Sequence, residues 1–223
     1  MANYVNIELD TTAPSTPTIQ INGTATYTSS DLVTLTTNVA DGTAFQMKIW
    51  GNVDEANSAN IKATEGTSQW FTFNSSQQVK LSPTEGVKTL YVKVRDDVYN
   101  ETGQASDTIT LDTSIPVVTV VSDGINKISK ISGKNVATFS FSVDSDFVEY
   151  KVKVVTSIGA GESTGVLLGT ANGSTGVTGT GSWTNVSSLD VQVNGTDLQV
   201  ASAGDAVKII KVFVKDASGK WSA

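Results

Sequence analysis

The chain alternates apolar and polar residues in short runs that are separated by polar, glycine-rich turns. Apolar side chains occupy every second position in the clearest of these runs, which are residues 90–95, 136–143 and 147–154. Because successive side chains of a strand point to opposite faces of a sheet, this pattern predicts half-buried β-strands. No long window has helical periodicity, so the sequence predicts an all-β fold.

Two internal repeats divide the chain. The triplet Leu111-Asp112-Thr113 follows a strand pattern near the middle, and its twin Leu9-Asp10-Thr11 lies 102 residues earlier. A second match aligns residues 87–96 with residues 207–216, without gaps, at an offset of 120. A repeat of about 100 residues with many short strands is typical of immunoglobulin-class β-sandwiches. We therefore predict two tandem immunoglobulin-like sandwiches.

The repeats also predict the boundaries. We expect an N-terminal strand at residues 1–9, a first domain at 10–111 and a second domain at 112–223. The second copy is 18 residues longer between the two landmarks, and the glycine-, serine- and threonine-rich stretch near 156–188 is where we place the extra length. We expect a loop or loose hairpin around residues 166–168 there, and a further strand at residues 198–201.

Composition excludes several classes of function. The 223 residues include no cysteine and no histidine, which removes disulfides, zinc sites and the Ser-His-Asp and Cys-His catalytic arrangements. Glu149, Glu162 and Asp190 are scattered, without a pattern that suggests the paired carboxylates of a glycosidase. We expect no enzymatic activity and no cofactor.

Around the repeat landmarks the sequence resembles a bacterial immunoglobulin-like repeat family. Its members carry a pattern of the type Val-Lys-x-Val-Tyr-Val-x-x-Lys-Asp-x-x-Gly-Asn, a short hairpin, and then Asp-Thr-Ile-x-Leu-Asp-Thr-Thr-Ala-Pro. Residues 87–96 and 107–116 match both parts, and residues 207–216 match the first part again. The hairpin at residues 97–100 departs from the family pattern, and residues 156–188 match nothing in it.

The resemblance implies a structural role. Such domains serve as spacers and binding modules in bacterial cell-surface proteins, and similar domains occur on the heads, tails and fibres of tailed bacteriophages. The first residues lack the basic start and apolar segment of a secretory signal. We therefore expect a virion protein, made in the host cytoplasm, that serves as a capsid decoration, collar, tail or fibre component. The alternative is a spacer or adhesion module at the bacterial cell surface.

The expected partners are other virion proteins or copies of the same chain, with cell-surface carbohydrate as a further candidate. Trp50, Trp70, Phe71 and Trp183 could line a carbohydrate platform, although core packing is the commoner role of aromatic side chains in a sandwich. A net charge of −7 with scattered ionic residues argues against nucleic-acid binding. No apolar stretch approaches the roughly 18 residues that cross a bilayer, so we expect no membrane insertion.

Acidic residues gather near the predicted domain junction and are the candidate metal ligands. Asp10, Asp96, Asp97 and Asp112 could bind calcium through carboxylate oxygens. The simpler interpretation, which we favour, is that these carboxylates cap their own turns.

The two ends of the chain predict a candidate interaction. Sixteen residues separate Asp96 from Asp112, but only seven follow Asp216, so the second domain shows no closing strand of its own. Val5, Ile7 and Leu9 form a closing-strand pattern with no domain before it. We hypothesise that this strand is donated to the open edge of another copy's second domain. The alternatives are pairing with its own first domain, a chain that continues past Ala223, or a different virion protein at that edge.

Overall fold

The computed structural model describes residues 5–40 and 42–223. It divides the chain into two compact units, Met1–Thr113 and Ser114–Ala223. Each unit has its own apolar core between two β-sheets. The fold is all-β with a single short α-helix among the described residues.

The first unit is a sandwich of a three-stranded sheet, in the order β1-β3-β6, and a five-stranded sheet, in the order β2-β8-β7-β4-β5. Its strands are β1 (Thr18–Ile21), β2 (Tyr27–Thr28), β3 (Leu32–Asn38), β4 (Gln46–Gly51), β5 (Phe71–Thr72), β6 (Ser76–Lys80), β7 (Gly86–Arg95) and β8 (Ala105–Leu111). Neighbouring strands are antiparallel except β2 and β8, which run parallel. This arrangement of two packed sheets is that of an immunoglobulin-like sandwich.

The alternating side chains of the first unit divide between its core and its surface. Val33 and Leu35 of β3 and Leu90, Val92 and Val94 of β7 point into the core, where they pack together. The intervening polar residues of both strands are more exposed. The period of two that the sequence predicted therefore sets which face of each sheet is buried.

The second unit repeats this plan with fewer strands. One sheet has the order β14-β10-β9; in the other, β11 pairs with β12 and β13 along one edge and with β15 along the other. Its elements are β9 (Val118–Ser122), β10 (Val136–Val143), β11 (Phe147–Val155), β12 (Val166–Leu167), β13 (Thr178–Trp183), β14 (Ser188–Asn194), α1 (Gly195–Ala201) and β15 (Ile209–Lys215).

The pairing of the strands relates the two units. The sheets β1-β3-β6 and β9-β10-β14 correspond, and β7 corresponds to β15, in agreement with the offset of 120. In the first unit β7 pairs with β8 on its second edge. Within residues 114–223, β15 forms a ladder with β11 alone. The prediction of an all-β fold with two immunoglobulin-like sandwiches is confirmed.

One local expectation for the second unit is wrong. Residues 198–201, predicted as a strand, lie in helix α1, which begins where the Asn194 side chain accepts a hydrogen bond from the Thr196 amide. The stretch 156–188, for which we expected a loop or loose hairpin around residues 166–168, supplies β12 and β13 to the edge of β11. Of the apolar residues predicted there, Leu168 is buried, and Val177 joins it in the core.

Candidate functional site

The acidic residues near the domain junction are organised around one turn. Both carboxylate oxygens of Asp96 are used, because Oδ1 accepts from the amides of Val98 (3.0 Å) and Asn100 (2.9 Å) and Oδ2 accepts from Asn100 Nδ2 (2.9 Å). The same Asn100 amide group also donates to the carbonyl of Asp10 at 3.3 Å. The structure thus brings Asp10 to the Asp96 turn through the Asn100 side chain.

These contacts set the ionisation of Asp96. Burial of the carboxyl would by itself raise its pKa, but hydrogen bonds from the Asn100 side chain and from the amides of Asn100, Val98 and Tyr99 stabilise the charged form. The pKa of Asp96 therefore lies below its ordinary value. The Asp96 carboxylate thus stabilises the turn between β7 and β8.

The second unit contains the same turn. Asp216 Oδ1 accepts from the Lys220 amide at 2.9 Å, as Asp96 does from Asn100. The Ser222 hydroxyl accepts from the Val214 amide at 3.1 Å, as Thr102 does from Val94 at the same distance. The two units are therefore equivalent through Ser222, just before the point where β8 begins in the first unit.

The other candidate metal ligands, Asp10, Asp97 and Asp112, do not share a common set of contacts. The Asp10 side chain accepts from the Thr12 amide at 2.9 Å, and the Asp112 amide donates to the Thr28 carbonyl at the end of β8. Asp97 is exposed in the Asp96 turn. Across residues 5–40 and 42–223, no three acidic side chains gather in a group that could hold a metal ion.

We expect calcium to leave the stability of the protein unchanged. The Asp96 oxygens already accept three hydrogen bonds, and an ion that does not bind the native state adds nothing to its free energy of unfolding. Melting temperatures in excess calcium and in EDTA, measured by scanning calorimetry, should agree within about 1 °C, with magnesium as the control ion. A rise of several degrees in calcium alone would revive the metal-site hypothesis.

The four aromatic residues proposed as a carbohydrate platform do not form one. Trp50 is buried against Tyr91, with ring centroids 5.5 Å apart, and Phe71 packs on the first core. Trp183 stacks on Phe147 in the second core, at 5.1 Å. These three side chains serve packing, as the simpler interpretation held.

Trp70 lies on the outer face of the first unit and is covered by cations. Lys48 Nζ lies 4.8 Å from its ring centroid and Arg95 Cζ lies 4.4 Å from it. Arg95 also lies 4.2 Å from the Tyr99 ring. The contacts have the geometry of cation–π pairs, so the face of the Trp70 ring is engaged within the protein.

The N-terminal segment carries the most exposed apolar side chains that sequence analysis singled out. Val5, Ile7 and Leu9 are 78 %, 85 % and 86 % exposed, and residues 5–9 form no strand with the first unit. Ile109 and Leu111, which occupy the same positions in the repeat, are 1 % and 0 % exposed.

The second unit has an apolar groove that sequence analysis did not define. It runs between β9 and β15, and its walls include Val118, Val120, Ile210 and Val212. Its volume is about 380 Å³, so the groove has room for several side chains. No pattern in the sequence marks these residues as one groove, because β9 and β15 belong to different sheets.

None of the helices in the described part of the chain is long and apolar enough to span a membrane.

No family model and no curated protein sequence matches the chain. Among solved structures it is similar to fibronectin(III)-like modules of Clostridium thermocellum CbhA, with 10 % identity over 92 % of this chain and 89 % of that chain and a TM-score of 0.46. It is also similar to the D00-D0 domain of intimin, with 11 % identity over 93 % of this chain and 96 % of that chain and a TM-score of 0.36. Chitinase ChiA74 from Bacillus thuringiensis is similar with 13 % identity over 92 % of this chain and 30 % of that chain and a TM-score of 0.32. The immunoglobulin-like assignment itself rests on the strand pairing of each unit.

Proposed function

We propose that the chain is a non-enzymatic structural and binding module of a bacteriophage particle. It would act as a capsid decoration or as a collar, tail or fibre component, and its outer surfaces would aid adhesion to the host. The alternative is a spacer or adhesion module of a bacterial surface protein. The sequence resemblance supports both settings, and the apolar groove between β9 and β15 supports a component that joins other proteins.

One observation carries the non-enzymatic part of the proposal: the buried ionic groups hold the fold together. Asp197 is 3 % exposed, and its carboxylate accepts hydrogen bonds from the amides of Asn172 and Ser174 and from the Asn172 side chain. Lys88 is equally buried and donates to the hydroxyls of Ser82 and Thr84. Their charges are directed at neighbouring loops, where they satisfy backbone and hydroxyl groups.

The hydrogen bonds to Asp197 determine the ionisation of its carboxyl group. Burial of this carboxyl would raise its pKa, but the hydrogen bonds from Ser174 and Asn172 outweigh burial and hold its pKa below the ordinary value. An ionised, fully hydrogen-bonded carboxylate is suited to fixing the loop before β13. It is a poor general acid or base, because its proton affinity is low and its lone pairs are occupied.

The proposal is tested by finding whether the protein is located in phage particles or in the bacterial envelope. Particles should be purified on a density gradient from an induced culture of the source strain, and washed envelopes should be prepared from the same culture. Mass spectrometry should find the chain in the particle fraction, with a known capsid protein and a known envelope protein as markers. Recovery in the envelope with none in the particles would favour the surface-protein alternative and overturn the phage assignment.

A further inference from the structure

We propose that the outer face of the first unit binds a saccharide that carries a carboxylate, at a site formed by Arg95, Lys48 and Tyr99. The inference rests on the binding role in the proposed function and deepens it, because it names the class of ligand and the residues that hold it. It applies to a phage component and to a surface protein alike.

The Arg95 guanidinium is held in place and keeps one edge free. Its Cζ atom lies 4.4 Å from the centroid of the Trp70 ring and 4.2 Å from that of the Tyr99 ring. The side-chain oxygen of Gln46 accepts from its Nε at 2.8 Å and from its Nη2 at 2.6 Å. A guanidinium has five N–H donors, and the edge formed by Nη1 and Nη2 has no further acceptor among residues 5–40 and 42–223. That edge has the fork geometry that binds the two oxygens of a carboxylate.

A second cation lies beside this guanidinium. Lys48 is on the same face of β4, and its Nζ atom lies 4.8 Å from the centroid of the Trp70 ring. Glu65 pairs with Lys93 at 2.6 Å, and no carboxylate in the described ranges forms an ion pair with Lys48 or Arg95. Although the chain has a net charge of −7, this part of its surface therefore attracts an anion.

The second unit has the same row of the sheet with its charges cancelled. Gln46 lies opposite Arg95 in the first unit. Glu149 lies opposite Lys215 in the second unit, at the equivalent place. The Glu149 carboxylate is 3.4 Å from Lys151 Nζ and 3.5 Å from Lys215 Nζ. The neutral amide in the first unit thus keeps the positive charge that an acid neutralises in the second.

Tyr99 has a backbone conformation that usually requires glycine. Its φ is +71°, and the equivalent residue 120 positions later is Gly219, with a φ of +92°. A bulky side chain in this region strains the backbone, and strain of this kind is concentrated at functional sites. The Tyr99 side chain is 58 % exposed, with one ring face towards Arg95. The rest of the ring is open to contact with a ligand.

The pairing of an aromatic surface with a charged fork selects the ligand. A hexuronic acid carries its carboxylate directly on the sugar ring, so one such residue presents an oxyanion to Arg95 and Lys48 and an apolar ring face to Tyr99. An acidic peptide presents its carboxylates on flexible stems and does not provide the second contact. The site therefore fits an acidic saccharide better than a peptide.

Binding of trigalacturonate to the full chain, measured by isothermal titration calorimetry at low salt, tests the proposal. The wild-type chain should bind this probe, and added salt should weaken the binding because the cations are partly exposed. The fully methyl-esterified trisaccharide has the same sugar rings without the charge. It should bind about tenfold more weakly or less, since it offers no anion to the guanidinium.

Gln46→Glu introduces the acid of the second unit beside Arg95. The new carboxylate should neutralise the guanidinium and reduce the affinity for trigalacturonate by about tenfold or more. Gln20→Glu is the matched control, because it makes the same chemical change at an exposed position of β1, in the facing sheet. It should bind the probe as the wild-type chain does, and circular dichroism should show the native fold in both variants.

Three further variants test the individual contacts. Arg95→Lys keeps the charge but removes the fork, and should bind trigalacturonate more weakly. Glu101 lies opposite Arg95 without forming an ion pair, so Glu101→Gln should tighten binding by removing a nearby negative charge. Tyr99→Gly removes both the ring and the backbone strain. It should weaken binding while the melting temperature of the first unit stays equal to or above that of the wild-type chain, which a merely structural role of Tyr99 would not produce.

Three results would overturn the proposal: no binding of trigalacturonate by the wild-type chain at millimolar concentrations, equal affinity for the acid and its methyl ester, or equal affinity of Gln46→Glu and Gln20→Glu. Binding of triglutamate as tight as that of trigalacturonate would also overturn it, in favour of an acidic peptide. These measurements do not depend on where the protein is located. Their failure would leave the phage assignment standing, and recovery of the chain in the envelope would leave the saccharide site standing.

Discussion

Replacing Phe141 with alanine should lower the free energy of unfolding of the second unit by about 3–5 kcal/mol, the usual cost of a buried Phe→Ala change. Phe141 is 1 % exposed, and its ring centroid lies 5.2 Å from that of Tyr150 and 6.3 Å from that of Phe147. Truncation therefore leaves a cavity at the centre of an aromatic cluster. For a unit of this size the loss corresponds to a fall in melting temperature of more than about 10 °C.

The unfolding of each unit has to be measured separately. Urea unfolding followed by pulsed hydrogen exchange and mass spectrometry reports peptides of the first and second units in one experiment. F45A is the chemical control, because Phe45 is half exposed in the first unit and should cost less than about 1 kcal/mol. Protection in the first unit should be unchanged in F141A. Equal loss of protection in both units would contradict their independence, and no loss in either would contradict the packing of Phe141.

The sequence predicted the fold well wherever a strand is half buried. Residues 90–95 and 150–154 alternate between buried and half-buried positions, and both lie in central strands with one face in the core; the alternation breaks at Phe147, where the pairing of β11 with β13 has a register shift. The repeat of residues 87–96 likewise predicted that β7 and β15 would correspond, and the Asp96 and Asp216 turns extend the match to hydrogen bonds of nearly equal length. Local pattern and tertiary burial agree at these positions, which is why sequence analysis sufficed.

Prediction failed where tertiary context decides the structure. Residues 195–201 have no helical periodicity, and helix α1 forms because Asn194 caps it and Leu198 packs on the second core. The stretch 156–188 is poor in apolar residues, yet Leu168 and Val177 are buried because both lie against β11. Single buried side chains of this kind leave no periodic signal.

The hypothesis of a donated strand could likewise be predicted only in part from the sequence. The donor pattern of Val5, Ile7 and Leu9 can be seen in the sequence, because it repeats that of β8. The apolar groove of the second unit could not be seen in the sequence, since it is formed by β9 and β15, which are separated by about 90 residues and belong to different sheets.

The second large effect is expected from Gly51→Ala at the end of β4. Gly51 has φ +132°, and a Cβ atom there would lie 2.1 Å from the Thr89 carbonyl oxygen of β7. The neighbouring Asn52 amide donates to that same oxygen at 3.0 Å, so the oxygen cannot retreat without losing a hydrogen bond. The variant combines backbone strain of about 1–3 kcal/mol with overpacking of similar size.

Gly86→Ala is the matched control, because it carries the strain without the clash. Gly86 begins β7 with φ +107°, and no heavy atom lies within 4 Å of a Cβ built there. Both variants should destabilise the first unit in urea, with Gly51→Ala costing about 1–3 kcal/mol more, the usual range for overpacking. Since β7 carries the Asp96 turn, exchange of the Val98 and Asn100 amides should also accelerate more in Gly51→Ala. Equal destabilisation would mean that β4 and β7 can separate at little cost, and that the close approach at Gly51 is unimportant to the sheet.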